Sequence, residues 1–310
     1  MEYLVSVIIP TYQRSEYLIR AVRSVLEQTY PRVEAVVVDD NGMDSVYAGE
    51  VKKLLEDAFG EDPRISYVQK ERNQGGAIAR NEGARYASGE YLCFLDDDDI
   101  FLPQKIEHQL HFMLAHGLEL SFTNIKMYDE KGALVDVRDH SPYITSWGQE
   151  ELLKQHLLHH LTPTDVYMFS REGFFKTGGF QTRKVSQEFM LMLEAITAGL
   201  KIGYLPEVTA VQYIHSGRRI SQAGRRVAGD QELMEVKRQY FSIFNGREKR
   251  YIKFRYHAAL AVYFIRNRKI CRAAAHLAGA FFTAPLMCFK EAVHMARRIW
   301  KHTEEGEYDG

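Results

Sequence analysis

The strongest constraint on the fold is an alternation of two periodicities over residues 1–102. Residues 4–10 (LVSVIIP), 33–39 (VEAVVVD), 65–69 (ISYVQ) and 91–95 (YLCFL) are short runs rich in β-branched and aromatic side chains. Between them, residues 16–28, 46–59 and 76–87 repeat apolar positions at helical spacing. Apolar strands separated by amphipathic helices predict a parallel sheet covered on both faces. Open sheets of this kind bind ligands beyond the carboxyl ends of their strands. Three polar clusters fall at those ends: Thr11-Tyr12-Gln13-Arg14, Asp39-Asp40-Asn41-Gly42 and Asp96-Asp97-Asp98-Asp99.

Beyond residue 102 the pattern becomes mixed. Residues 103–115 read as a helix opened by Pro103 in its first turn, and 149–159 and 187–198 as further helices. Residues 118–127, 134–138, 164–170 and 208–215 read as extended, and the basic, Gly-containing stretch 217–229 as a loop. Residues 230–302 read as helical, with a break at Pro285. These patterns divide the chain into an α/β domain at 1–226, with halves 1–102 and 103–226, and a helical region at 227–310.

Charge separates the same two regions. The net charge is only −1, yet residues 247–302 hold 13 Lys/Arg against two Asp/Glu, and the last eight residues hold four acids. A basic helical region with Trp, Phe and Leu suits an anionic membrane surface; packing against the α/β domain is the alternative. Residues 273–289 are nearly uncharged but too short for an ordinary spanning helix. No base-contacting module is evident, so nucleic acid is not an expected partner. Three cysteines without pairing or metal-ligand spacing, and an N-terminus that enters a strand directly, make the cytoplasm the expected compartment.

Four consecutive aspartates repel one another unless something positive sits among them. Hard oxygen ligands at a strand end suit Mg²⁺ or Mn²⁺ held together with substrate phosphates; a solvated acidic turn ahead of a helix is the other reading. Asp40 ends the second strand as a candidate acceptor for a base N–H or ribose hydroxyls, while Asn41-Gly42 reads as a turn.

Taken together and in this order, these motifs resemble the family-2 inverting glycosyltransferases with the GT-A fold, over roughly residues 3–220. The resemblance is carried by the opening strand and turn at 5–14 and by Val38-Asp39-Asp40-Asn41-Gly42. Residues 73–81 (NQGGAIARN) and Phe94-Leu95-Asp96-Asp97-Asp98-Asp99 complete it. It implies that Thr11, Tyr12, Arg14 and Asp40 surround the nucleobase side of a UDP-sugar donor. It also implies that Asp96 and Asp97 face the ribose or metal, and that Asp98 is the principal ligand of Mn²⁺ or Mg²⁺. Arg80 would lie near the diphosphate or sugar, or else be a surface charge of its helix. His215, before Ser216-Gly217-Arg218-Arg219, matches a histidine near metal and diphosphate, and the two arginines would close over phosphates.

The family's general base starts a helix after a Gly-Gly-Phe turn. Here Gly178-Gly179-Phe180 is followed by Gln187-Glu188, so the usual acidic pair is reduced to Glu188. Glu188 is the candidate base; a helix-start acid favoured by the macrodipole is the competing reading. The implied acceptor is a hydroxyl of a saccharide or lipid-linked sugar, at the inner membrane face. Two other functions compete: a nucleotidyltransferase, for which 5–14 lacks a Gly-rich, Lys-bearing phosphate loop, and a non-catalytic sugar-nucleotide-binding or membrane-adaptor protein.

Overall fold

The computed structural model describes residues 3–289 except 48, 145, 147, 162, 184, 185 and 216–224. The chain forms two compact units, Met1–Gln222 and Ala223–Gly310, divided a few residues before the sequence-based boundary at 226.

The first unit runs β1 (Val5–Thr11), α1 (Ser15–Leu26), β2 (Val33–Asp39), α2 (Glu50–Phe59), β3 (Ile65–Gln69), α3 (Gly76–Tyr86) and β4 (Tyr91–Phe94). It continues with β5 (Ile100–Phe101), α4 (Lys105–His116), β6 (Leu120–Asp129), β7 (Leu134–Arg138) and α5 (Gln149–His159). A 3₁₀ turn (Thr164–Val166), β8 (Met168–Ser170), α6 (Arg171–Lys176), α7 (Gln187–Thr197) and β9 (Ile202–Ile214) complete it.

One sheet holds all nine strands in the order β3-β2-β1-β4-β8-β6-β9-β5, with β7 added to β6. β1 lies parallel to β2 and β4, and β2 parallel to β3, which is the parallel half that the alternation predicts. Val5, Val7, Ile8 and Ile9 of β1 are wholly buried because helices cover both faces. α1 buries Leu18, Ala21, Val22 and Val25, a stripe at helical spacing. From β8 onward the sheet is mixed: β8 is antiparallel to β4 and β6, while β9 runs parallel to β6.

Several elements differ from the sequence reading. α2 begins at Glu50 rather than 46, because Gly49 in the left-handed region (φ 79°) precedes it. β9 starts at Ile202, and its register with β6 shifts around Pro206, where a ladder hydrogen bond is impossible. α6 was not expected; the Ser170 side chain caps it by accepting from the Gly173 N–H at 3.1 Å. β5, only two residues long, pairs antiparallel with β9 and ties the segment after the four aspartates across the sheet.

Gly83 sets how closely α3 approaches the sheet. A Cβ there would lie 2.6 Å from Ile8 Cγ2 and 2.8 Å from Val38 Cγ2, on two fully buried β-branched side chains. Alanine ordinarily favours a helix over glycine by ~1 kcal/mol. Overpacking of this core outweighs that gain, so Gly83→Ala is expected to lose about 1 kcal/mol or more of stability. A urea midpoint equal to or above wild type would show that the sheet yields freely.

In the second unit, α8 (Arg225–Gln239), α9 (Gly246–Arg266) and α10 (Ile270–Thr283) follow one another. Residues 225–229, expected as loop, are the first turns of α8, and the rest of that stretch lies outside the described residues. A capping box starts α9: Asn245 Oδ1 accepts from the Arg247 and Glu248 N–H groups, and Glu248 returns a bond to the Asn245 N–H. Phe254 packs with Ala280 and Ala284, and Leu260 and Phe264 with Ala273, so α9 and α10 form an antiparallel hairpin. α10 ends at Thr283, two residues before Pro285, where pre-proline sterics stop a helix. The basic cluster at 297–301 lies outside the described residues.

Candidate active site

The four aspartates leave the end of β4 and are turned apart by different partners. The Asp96 N–H donates to Asp165 Oδ1 at 2.9 Å, and Asp97 accepts the Thr11 hydroxyl at 2.8 Å. Asp98 pairs with Arg14, and its carbonyl accepts from the Arg20 guanidinium at 2.7 Å. Asp99 accepts the Tyr213 N–H of β9 at 2.8 Å. Carboxylate oxygens of Asp96, Asp98 and Asp99 come within 4.8 Å of one another.

Burial and mutual repulsion dominate the electrostatics here. Burial, with Asp98 and Asp96 nearby, pushes the Asp97 carboxyl up to about 7 against the opposing pull of Arg14 and Thr11. Asp98 is raised by burial and Asp96, and Asp99 by burial and Asp165. Asp165 is pushed up to about 7 by burial and Asp96. Two guanidiniums offset the charge: Arg14 on Asp98 and Arg80 on Asp96. Burial alone would depress both arginines, but the aspartates outweigh it and raise them.

The donor set fits a hard divalent cation. Asp96, Asp98 and Asp99 converge their oxygens, and His215 stands beside them with Nε2 3.8 Å from Asp98 Oδ2. Both His215 nitrogens are buried, and neither makes a hydrogen bond among the described residues. Tyr17 stacks on the ring at 4.5 Å, holding it in place. Among the sequence candidates, Asp97 stands apart from this convergence, because Thr11 turns it toward β1. Ser216 to Arg219, the expected phosphate clamp, lie outside the described residues.

Thr11 and half-buried Tyr12 sit at the carboxyl end of β1, beside the end of β2. Asp40 there is 2% exposed and has its oxygens occupied. Oδ1 receives the Gln74 N–H at 3.0 Å and forms an ion pair with Lys70 Nζ at 3.1 Å; Oδ2 receives the Gly75 N–H at 2.7 Å and Asn73 Nδ2 at 2.9 Å. Asp40 thus fixes the turn that starts α3, at the strand end where the nucleobase contact is expected. Asp39 is likewise internal, accepting from the Asn41 backbone N–H and side chain and from the Tyr67 hydroxyl.

Glu188 lies in the first turn of α7, and Arg80, paired with Asp96, acts on it through its charge. The Arg80 guanidinium bonds Asp96, lies 5.4 Å from the Phe180 ring centroid, and acts electrostatically on Glu188. Arg80 is thus a buried site residue rather than a surface charge. Asn81 clamps the Gly-Gly-Phe turn from the same helix, accepting the Phe180 N–H and donating to its carbonyl, both at 2.8 Å. Gln187, where an acid is usual, donates to the Arg183 carbonyl at 3.1 Å instead. Burial alone pushes the Glu188 carboxyl up, but His160, with smaller pulls from a backbone hydrogen bond and from Arg80, outweighs it and holds the group below the usual carboxylate range. The site thus offers an ionised carboxylate beside a buried cation and a cluster of hard oxygen donors.

A family model described as "Glycosyl transferase family 2" matches residues 6–181. The chain belongs to glycosyl transferase family 2. This glycosyltransferase is 35% identical over 193 residues to a Bacillus subtilis protein, TuaG, whose name places it among the glycosyltransferases of teichuronic acid biosynthesis; the match covers 62% of this chain and 72% of that one. It is 36% identical over 126 residues to an Escherichia coli protein, WfgD, named as a UDP-Glc:alpha-D-GlcNAc-diphosphoundecaprenol beta-1,3-glucosyltransferase. That match covers 41% of this chain and 47% of WfgD, about half its length. The crystal structure of S. aureus TarS 1-349 in complex with UDP-GlcNAc superposes with a TM-score of 0.58 at 19% identity, covering 90% of this chain and 91% of that one. The fold is GT-A.

Three residues that the fold brings to this candidate site escaped the sequence reading. Asp165 precedes the short apolar run at 166–169 without any motif. Arg20 lies six residues after Arg14, and the spacing of Arg14, Tyr17 and Arg20 along α1 was the available signal. His160 is one of 12 histidines, and nothing local distinguishes it.

Proposed function

We propose that the enzyme transfers a sugar with inversion from a UDP-sugar to a hydroxyl of a lipid-linked saccharide, in the assembly of a cell-surface polysaccharide. The observation that carries this reading is the convergence of Asp96, Asp98 and Asp99 oxygens at the end of β4, with Arg80 paired to Asp96 and its charge acting on Glu188 of α7. Glu188 takes the proton of the acceptor hydroxyl while that oxygen bonds the anomeric carbon from the face opposite the diphosphate. The bond between the anomeric carbon and the β-phosphate oxygen breaks, and UDP leaves with the electron pair. Arg80 stands where it would offset the negative charge that develops, and Thr11 and Tyr12 line the nucleotide end. Asp98, with Asp96, Asp99 and His215, would hold Mn²⁺ or Mg²⁺. Such an ion offsets charge on a departing diphosphate.

The names of the relatives support the donor and acceptor classes: UDP-Glc and a diphosphoundecaprenol-linked sugar for WfgD, teichuronic acid for TuaG. UDP release from a panel of UDP-sugars, with Mn²⁺, Mg²⁺ or chelator and lipid-linked acceptors, tests the reading. Metal-dependent release that rises with acceptor is expected; no release with any donor would refute it.

The second unit supports a place for the reaction, the inner membrane surface. Among the described residues no helix is long and apolar enough to cross a membrane. Phe282, Leu286 and Phe289 are nonetheless 83%, 79% and 71% exposed, alongside Leu277 and Phe281. Arg266, Arg268, Lys269 and Arg272 adjoin them in sequence. An exposed apolar face next to basic residues matches the boundary of an anionic bilayer. The full-length chain is expected to float with phosphatidylglycerol vesicles and less with phosphatidylcholine. Phe282→Glu and Leu286→Glu should each weaken flotation about tenfold or more. Equal flotation of wild type and both variants would remove the face from the account.

A further inference from the structure

The single acid at the base position raises the question of what orients it. Glu188 Oε1 lies 3.3 Å from His160 Nε2. His160 caps the end of α5 in the left-handed region, with φ 54° and ψ 71°. Glycine or asparagine occupies such a cap at less cost in backbone strain.

The surroundings restrict that ring. It meets Phe189 edge-on at 5.0 Å and His156 at 6.3 Å. His156 in turn stacks on Phe189 at 4.3 Å and donates from Nε2 to the Phe189 carbonyl at 2.9 Å. The Tyr167 hydroxyl donates to the Glu188 carbonyl at 2.7 Å. The first turn of α7 is therefore held from α5 and from the segment ahead of β8, and His160 is the member of this set that reaches the carboxylate.

We propose that His160 is the positioning residue of the base: its Nε2–H holds Glu188 Oε1 and leaves Oε2 to take the acceptor proton. The inference rests on the reading of Glu188 as base. It explains how one glutamate serves where the family resemblance implies an acidic pair: a neighbouring donor fixes the carboxylate in place of the second acid. His160 and Arg80 also keep Glu188 ionised against its burial. The other titratable groups about His160 are His156 and His159 on α5 and His140 after β7.

Carbon-13 NMR of glutamate side-chain carboxyls tests this without a donor or acceptor, with Glu188→Gln used to assign the resonance. His160→Asn keeps a residue that tolerates the left-handed cap but shortens the reach to Glu188. Its Glu188 midpoint is expected to rise by roughly one to three pH units, since burial then acts against a weaker opposing pull. An unchanged midpoint overturns the proposal. Should that variant not fold, His160→Gln carries the same two outcomes. An unchanged midpoint would leave the transferase reading standing, whereas full turnover by Glu188→Gln would remove the base assignment and leave the contact itself intact.

Discussion

Asp98→Asn is expected to lower metal-dependent UDP release by about 10³-fold or more, the loss of a few kcal/mol of charge stabilisation at the departing diphosphate. Asp98 is the aspartate nearest His215, and its oxygen converges with those of Asp96 and Asp99. The amide keeps the shape but loses the charge and half of the oxygen donors. Calorimetric titration of UDP with Mn²⁺ should show the same loss in affinity. Folding is expected to survive, because one negative charge fewer at residues 96–99 relieves repulsion among buried groups. The peptide carbonyl of residue 98 still receives Arg20. Wild-type turnover by Asp98→Asn, or equal turnover of wild type in chelator, would sink the metal assignment.

Glu188→Gln is expected to cut kcat by about 10²–10⁴-fold, the usual contribution of a positioned general base. Donor affinity should stay close to wild type, because among the described residues Glu188 makes no ion pair or hydrogen bond with Asp96, Asp98 or Asp99. The two substitutions thus separate: Asp98→Asn loses donor binding and turnover together, Glu188→Gln loses turnover alone. The acid limb of the wild-type rate profile should fall below the ordinary carboxylate range, because the Glu188 carboxyl is held down and protonates only there. A Glu188→Gln enzyme with undiminished kcat would require another base.

How much of this site could be read from the chain depended on distance along it. The strand ends were legible, because a period of two followed by a helical period marks where each strand stops, and Thr11 and Asp96 to Asp99 all fall there. The short β5–β9 pairing was not, since two residues carry no periodicity; yet it brings Tyr213 to Asp99 and His215 to Asp98. Asp40 illustrates the opposite case. An acid at a strand end reads as a ligand contact, but whether its lone pairs are free depends on where Gln74, Gly75 and Lys70 fold.

The candidate base shows the division most clearly. Local sequence determined that Glu188 opens an amphipathic helix after a Gly-Gly-Phe turn, because capping, left-handed glycines and apolar spacing are short-range properties. Tertiary structure alone decided what surrounds it. The charge of Arg80 arrives from α3, the Tyr167 hydroxyl from the segment before β8, and His160 from the end of α5, each many residues distant in the chain. Charge and hydrogen bonding act through space over a few ångströms, and only the folded sheet converts those separations into contact.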